Sequence, residues 1–95
     1  MTNQYAKRTD NTHAEIRDTL RVSGYNVTDL SSVGKGIPDL MVVSKAGVTV
    51  MLEVKSSQTC KLTEREREFA NHYSHPLHIV WTVEMALRYM EGYDA

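Results

Sequence analysis

Two short β-branched and apolar runs, Met41-Val42-Val43 and Val48-Thr49-Val50-Met51, flank the segment Lys45-Ala46-Gly47. Runs of this kind around a glycine-ended turn predict a β-hairpin. The prediction carries a register. Centred on Ala46 and free of a bulge, the hairpin pairs residues whose numbers sum to 92, so Asp39 faces Glu53. A single β-bulge would shift that pairing.

Facing side chains of an antiparallel pair hold their Cβ atoms roughly 4.5–5.5 Å apart, and like charges repel there. Two carboxylates so placed need positive charge between them. Side chains alternate along a strand, so Lys55 shares the side of Glu53, while Val48, Val50, Leu52 and Val54 form an apolar set on the other. A hard divalent cation such as Mg²⁺ suits two carboxylates and retains several waters. Lys55 would then hold the attacking water or neutralise charge on a phosphate. The string Gly36-Ile37-Pro38-Asp39-Leu40, followed by Leu52-Glu53-Val54-Lys55, thus carries the residues that metal-dependent phosphodiester hydrolysis requires. Each half alone is weak, since x-Pro-Asp opens many turns and E-x-K occurs on many surfaces. Order and register together carry the reading.

This pattern resembles the PD-(D/E)xK nuclease superfamily, and within it the virus-type replication-repair nuclease (VRR-NUC) domain. That family's pattern has a helical Glu, a Gly-x-Pro-Asp-Leu segment, a Glu-x-Lys strand and a Leu-Ser/Thr opening to a helix bearing a polar residue. The matching residues are Glu15, Gly36 to Leu40, Glu53-Val54-Lys55 and Leu62-Thr63-Glu64-Arg65-Glu66-Arg67. Glu66 departs from the family's usual Gln. The resemblance implies an α/β restriction-endonuclease-like core, a mixed β-sheet flanked by helices in the order α-β-β-β-α-β-α. It implies a Mg²⁺- or Mn²⁺-dependent DNA endonuclease, with the metal on Asp39, Glu53, the Val54 carbonyl and Glu15, and Lys55 and Glu66 beside it. Standalone proteins resembling this one are phage-type and structure-selective, so branched DNA such as a Holliday junction is the expected substrate. A homodimer with two sites would match a two-fold junction. A catalytically idle DNA-binding subunit and a sequence-specific restriction-type endonuclease are the alternatives. No recognition helix or finger for base readout is evident, which disfavours the latter.

Ninety-five residues suffice for one domain with a single modest core. Residues 1–9 are expected to be a flexible segment and 10–95 the nuclease domain. Eleven basic against twelve acidic residues leave a net charge of −1, at first sight unsuited to nucleic acid. With Glu15, Asp39 and Glu53 set aside as metal-facing, the remainder is mildly basic. Lys7, Arg8, Arg17, Arg21, Lys35 and Lys61 are candidate phosphate contacts, and the glycines around Lys35, Gly36 among them, allow close backbone approach. Charged residues of this kind are also commonly plain solvated surface. A single cysteine, Cys60, excludes an intrachain disulfide and suits an intracellular, cytoplasmic setting. No signal or membrane-length apolar run is evident.

A helix capped among residues 9–12 and stopped by Gly24 would bury Ile16 and Leu20, with Glu15 at the flank. Tyr25 to Leu30 reads as a strand. A second helix starts at Thr63 with a capping box to Glu66, which also falls on the inner side with Leu62, Phe69, Ala70 and Tyr73. Glu66 is therefore both a cap and a site candidate. His72, His75 and His78 are not expected to converge, because Pro76 ends the helix and His78 opens an apolar strand. A last helix is expected over 83–91, with Met85, Ala86, Tyr89 and Met90 as packing residues.

Overall fold

A computed structural model describes the backbone of residues 4–95 and the side chains from Thr12 onward. Seven elements follow in order: α1 (Gln4–Val22), β1 (Asn26–Asp29), β2 (Leu40–Val43), β3 (Thr49–Val54), α2 (Glu64–His72), β4 (Leu77–Val80) and α3 (Val83–Tyr93). This is the expected α-β-β-β-α-β-α succession. Helix α1 starts at Gln4, upstream of the capping stretch expected at 9–12. Ala6, Lys7 and Arg8 are good helix formers, so nothing obliges the turn to begin later.

Gly24 does end α1. At φ 97° it takes the left-handed conformation that spares glycine the Cβ penalty. Its N–H bonds Arg21 O at 3.1 Å, and the Tyr25 N–H reaches back to Leu20 O at 3.0 Å. Together these two bonds close the helix with a Schellman motif.

The four strands form one sheet in the order β1-β2-β3-β4. β1 and β2 are antiparallel, as are β2 and β3, whereas β3 and β4 run parallel across α2. Between β2 and β3 the pairs are Leu40–Leu52, Met41–Met51, Val42–Val50 and Val43–Thr49, every one summing to 92. No bulge intervenes. The turn closes through Gly47 N–H to Ser44 O at 2.9 Å, with Gly47 at φ 89°.

Helices α1 and α3 cover one face of the sheet. Ile16, Leu20, Ala86 and Met90 pack there with Val27, Leu40, Val42, Val50, Leu52 and Val80. Thr82 caps α3, its Oγ1 accepting from Met85 N–H at 3.1 Å. Arg17 Nη1 donates to Asp29 at 3.1 Å and Arg21 Nη2 to Val27 O at 3.0 Å, tying α1 to β1. These two arginines thus serve the fold rather than standing free for phosphate. Lys7 and Arg8 lie outside the residues whose side chains are described. Among the described residues, no helix is long and apolar enough to cross a membrane.

The histidines occupy separate surroundings. His72 Nδ1 lies 2.9 Å from Glu68 O, His75 stands edge-on to Tyr73, and His78 is held under α3. The His78 ring stacks on Tyr89 at 3.9 Å, and its Nε2 meets the Tyr93 hydroxyl at 2.6 Å. Burial holds this imidazole below its ordinary value of 6.5. On acidification the unfolded chain therefore takes up the proton first. The contribution of neutral His78 is present above about pH 6.5 and is lost as pH falls through the folded value. Urea midpoints at pH 7.5 and 5.0 should diverge more for the native chain than for His78→Phe. Equal divergence would remove His78 as the cause.

Candidate active site

Strand β3 pairs with β2 on one side and β4 on the other, and the face away from α1 and α3 carries Glu53. Leu52 points into the α1/α3 layer, so alternation turns Glu53 to the opposite face. Glu53 is only 4% exposed. The sequence places Glu53 on the side away from the apolar set without showing what covers it; the carboxylate has Asp39 and Glu66 of α2 as its neighbours.

Asp39 directly precedes β2 and continues its register, which places it across from Glu53. Two bonds fix it. Its backbone carbonyl accepts from Leu30 N–H at 2.7 Å, and its Oδ2 accepts from Val54 N–H at 2.8 Å. The carboxylate thereby takes a ladder donor beside Pro38, and Asp39 is held against the strand that bears Glu53.

Lys55 extends β3 by one residue, its N–H bonding Val80 O of β4 at 2.9 Å. Its ammonium lies 2.7 Å from Glu66 Oε1 and 3.7 Å from Glu53 Oε2. The closer partner is the helix acid. Partial burial works to lower the Lys55 pKa, yet the bond and charge of Glu66 leave it raised. Lys55 is a secure cation.

Glu66 fills both roles that the sequence left open. Its Oε1 accepts from Thr63 N–H at 2.8 Å, and Thr63 Oγ1 accepts from Glu66 N–H at 3.2 Å, completing the capping box. The same oxygen holds Lys55. Glu66→Ala removes cap and ion pair together and should cost about 2–3 kcal/mol in urea unfolding. Glu66→Gln retains an acceptor for both donors and should cost less than about 1 kcal/mol. Equal losses in the two variants would show that the carboxylate charge, and not the acceptor oxygen, carries the effect.

Three carboxylates thus surround one ammonium. Burial is the foremost cause that drives the Glu53 pKa far above the carboxylate range, with Asp39 and Glu66 adding repulsion. Without added positive charge this group favours its protonated form. Asp39, Glu53 and the Val54 carbonyl are hard oxygen donors of the kind a divalent cation takes.

Glu15 is not brought to this site. It is exposed on α1, whose neighbouring Ile16 packs on the other face of the sheet. Among the described residues, no group of three or more His, Cys, Asp or Glu side chains is arranged to hold a metal ion. The flank position of Glu15, one residue from a core contact, does not decide which sheet face it reaches. Lys35 is exposed in the glycine loop, and Lys61 is exposed ahead of α2. Gly36 packs against α2, where a Cβ would lie 2.5 Å from Arg65 O. That packing had no signal in the sequence beyond the glycine itself.

No family model matches the chain, and no curated protein matches it. A solved structure described as a VRR_NUC domain is similar over 90% of this chain and 97% of its own, with a TM-score of 0.69 and 24% sequence identity. This chain has the fold of a VRR_NUC domain.

Proposed function

We propose that the protein is a divalent-metal-dependent DNA endonuclease that hydrolyses phosphodiester bonds in branched DNA. The observation that carries the proposal is the buried Glu53 carboxylate beside the half-buried Asp39, with the Lys55 ammonium 3.7 Å from Glu53. A protein gains no stability from crowding a second acid against a buried one, whereas a cation site requires such a pair. The VRR_NUC fold agrees with this reading, since that name denotes a nuclease.

Asp39, Glu53 and the Val54 carbonyl would hold Mg²⁺ or Mn²⁺, which supplies Lewis acidity toward a phosphoryl oxygen and acidifies a bound water. Lys55 stabilises charge developing on the phosphate and orients the nucleophilic water. Glu66 positions Lys55 from α2. Glu15 contributes only by an approach that α1 does not make here, so Glu15→Gln should cleave within about tenfold of the native chain; a loss as large as that of Lys55→Ala would restore it to the ligand set.

A homodimer would present two such sites to a two-fold junction. The experiment incubates purified protein with four-way junction, flap and linear duplex DNA, with Mg²⁺, Mn²⁺ or EDTA, alongside sedimentation to determine the oligomer. Junction cleavage that depends on the metal and is lost in Lys55→Ala supports the proposal. Binding without cleavage favours a catalytically idle DNA-binding subunit.

A further inference from the structure

The glycine loop and α2 flank an open groove of about 290 Å³, lined by Lys35, Arg65, Glu68, Phe69, His72 and Tyr73. Three features of this groove are unusual. The backbone runs left-handed through three successive residues, Gly34 at φ 68°, Lys35 at 59° and Gly36 at 84°. Lysine adopts that region rarely, and strain of this kind persists only where the surroundings impose it. The packing of Gly36 on the Arg65 backbone imposes it here and sets the Lys35 side chain at the groove.

The second feature is aromatic. Phe69 and Tyr73 lie one helical turn apart with ring centroids 5.2 Å apart and planes inclined by 23°. No residue of α2 is fully buried, so both half-buried rings keep part of their surface at the groove. The third is charge: Lys35 and Arg65 outnumber the single acid, Glu68. Cations for a backbone and ring faces for a base are what single-stranded nucleic acid requires. A base paired in a duplex shows only its edges and cannot lie on such rings.

We infer that this groove binds an unpaired nucleotide of the DNA strand flanking the scissile phosphate. Lys35 and Arg65 contact its backbone, and Phe69 and Tyr73 receive its base. The position along the substrate rests on the nuclease reading, because Arg65 adjoins Glu66 and the Lys35 loop leads directly into Asp39. A splayed arm at a branch point supplies such a nucleotide. Intact duplex does not.

Fluorescence anisotropy in EDTA tests the groove independently of cleavage, using a single-stranded oligothymidine, a forked duplex and a blunt duplex. Tyr73→Leu preserves bulk at the end of α2, and Arg65→Ala alters an exposed side chain, so both should fold, as thermal unfolding would verify. Tyr73→Leu should weaken the single strand and the fork about tenfold while leaving the blunt duplex unchanged. Arg65→Ala and Lys35→Gly, the latter compatible with the left-handed backbone, should weaken the same two ligands and reduce their salt dependence. Equal weakening on all three ligands, or no weakening on any, overturns the groove. If the native chain binds forks selectively yet cuts nothing with Mg²⁺ or Mn²⁺, the groove stands and the nuclease reading falls.

Discussion

Asp39→Asn should abolish cleavage while making the metal-free protein no less stable than the native chain. The two effects have one origin. Asp39 crowds the buried Glu53, and removing its charge relieves a repulsion that, after burial itself, keeps Glu53 protonated. The amide still offers an oxygen to the Val54 N–H, so the bond that positions residue 39 survives. Cleavage should nevertheless fall at least about 10³-fold, because one of two anionic donors is gone. Thermal unfolding separates these effects. Ca²⁺ or Mg²⁺ should raise the Tm of the native chain in a concentration-dependent way and leave that of Asp39→Asn unmoved. The pH dependence has a definite sign. Because the folded pKa of Glu53 is raised, its stabilising contribution is fully present below about 4.5 and is lost as pH rises through the folded value near 9. Metal binding must displace that proton, so apparent affinity should increase with pH across the same window. A Tm of the native chain indifferent to divalent ions would defeat the proposed site; a drop of several degrees in metal-free Asp39→Asn would mean that Asp39 is a structural residue.

Local periodicity made much of this legible in the sequence. The register summing to 92 follows from a three-residue turn and alternating β-branched residues, and it holds at all four β2–β3 pairs. The inner side of α2 was likewise readable, because Leu62, Glu66, Phe69, Ala70 and Tyr73 recur at helical spacing and all are partly buried. What escaped depends on how elements approach one another. Alternation indicates that Glu53 opposes Leu52, but not that α2 closes over it and leaves it 4% exposed. Helical spacing sets Glu15 beside Ile16 without revealing that α1 lies on the far side of the sheet from Asp39. The double duty of Glu66 was half visible: its capping box is a spacing, whereas its 2.7 Å bond to Lys55 is a tertiary contact. The left-handed run through Lys35 could not have been read at all, since two flanking glycines permit it without requiring it.

Gly36→Ala should be the most damaging change of a single hydrogen for a methyl group in this protein. The backbone there has φ 84°, which costs an L-residue roughly 1–2 kcal/mol. Space is the larger problem. A Cβ at this position would lie 2.5 Å from Arg65 O and 2.6 Å from Arg65 C, both backbone atoms in the first turn of α2. Neither can rotate away. Either α2 shifts outward or the loop lifts, and overpacking of that kind adds roughly 1–3 kcal/mol. The total, about 3 kcal/mol or more, is a large share of what a domain of this size possesses. Gly34 is the matched control. Its φ is 68° and nothing stands within 4 Å of its Cβ position, so Gly34→Ala should cost only about 1 kcal/mol. Urea unfolding of the two variants measures the difference directly. The loop runs straight into Pro38-Asp39 and the helix carries Glu66, so any displacement that accommodates the methyl separates Asp39 from the Lys55–Glu66 pair. Whatever fraction of Gly36→Ala remains folded should therefore cleave poorly, while Gly34→Ala cleaves normally. Similar stability losses in the two variants would mean that the loop and α2 do not pack as closely in solution as this geometry requires.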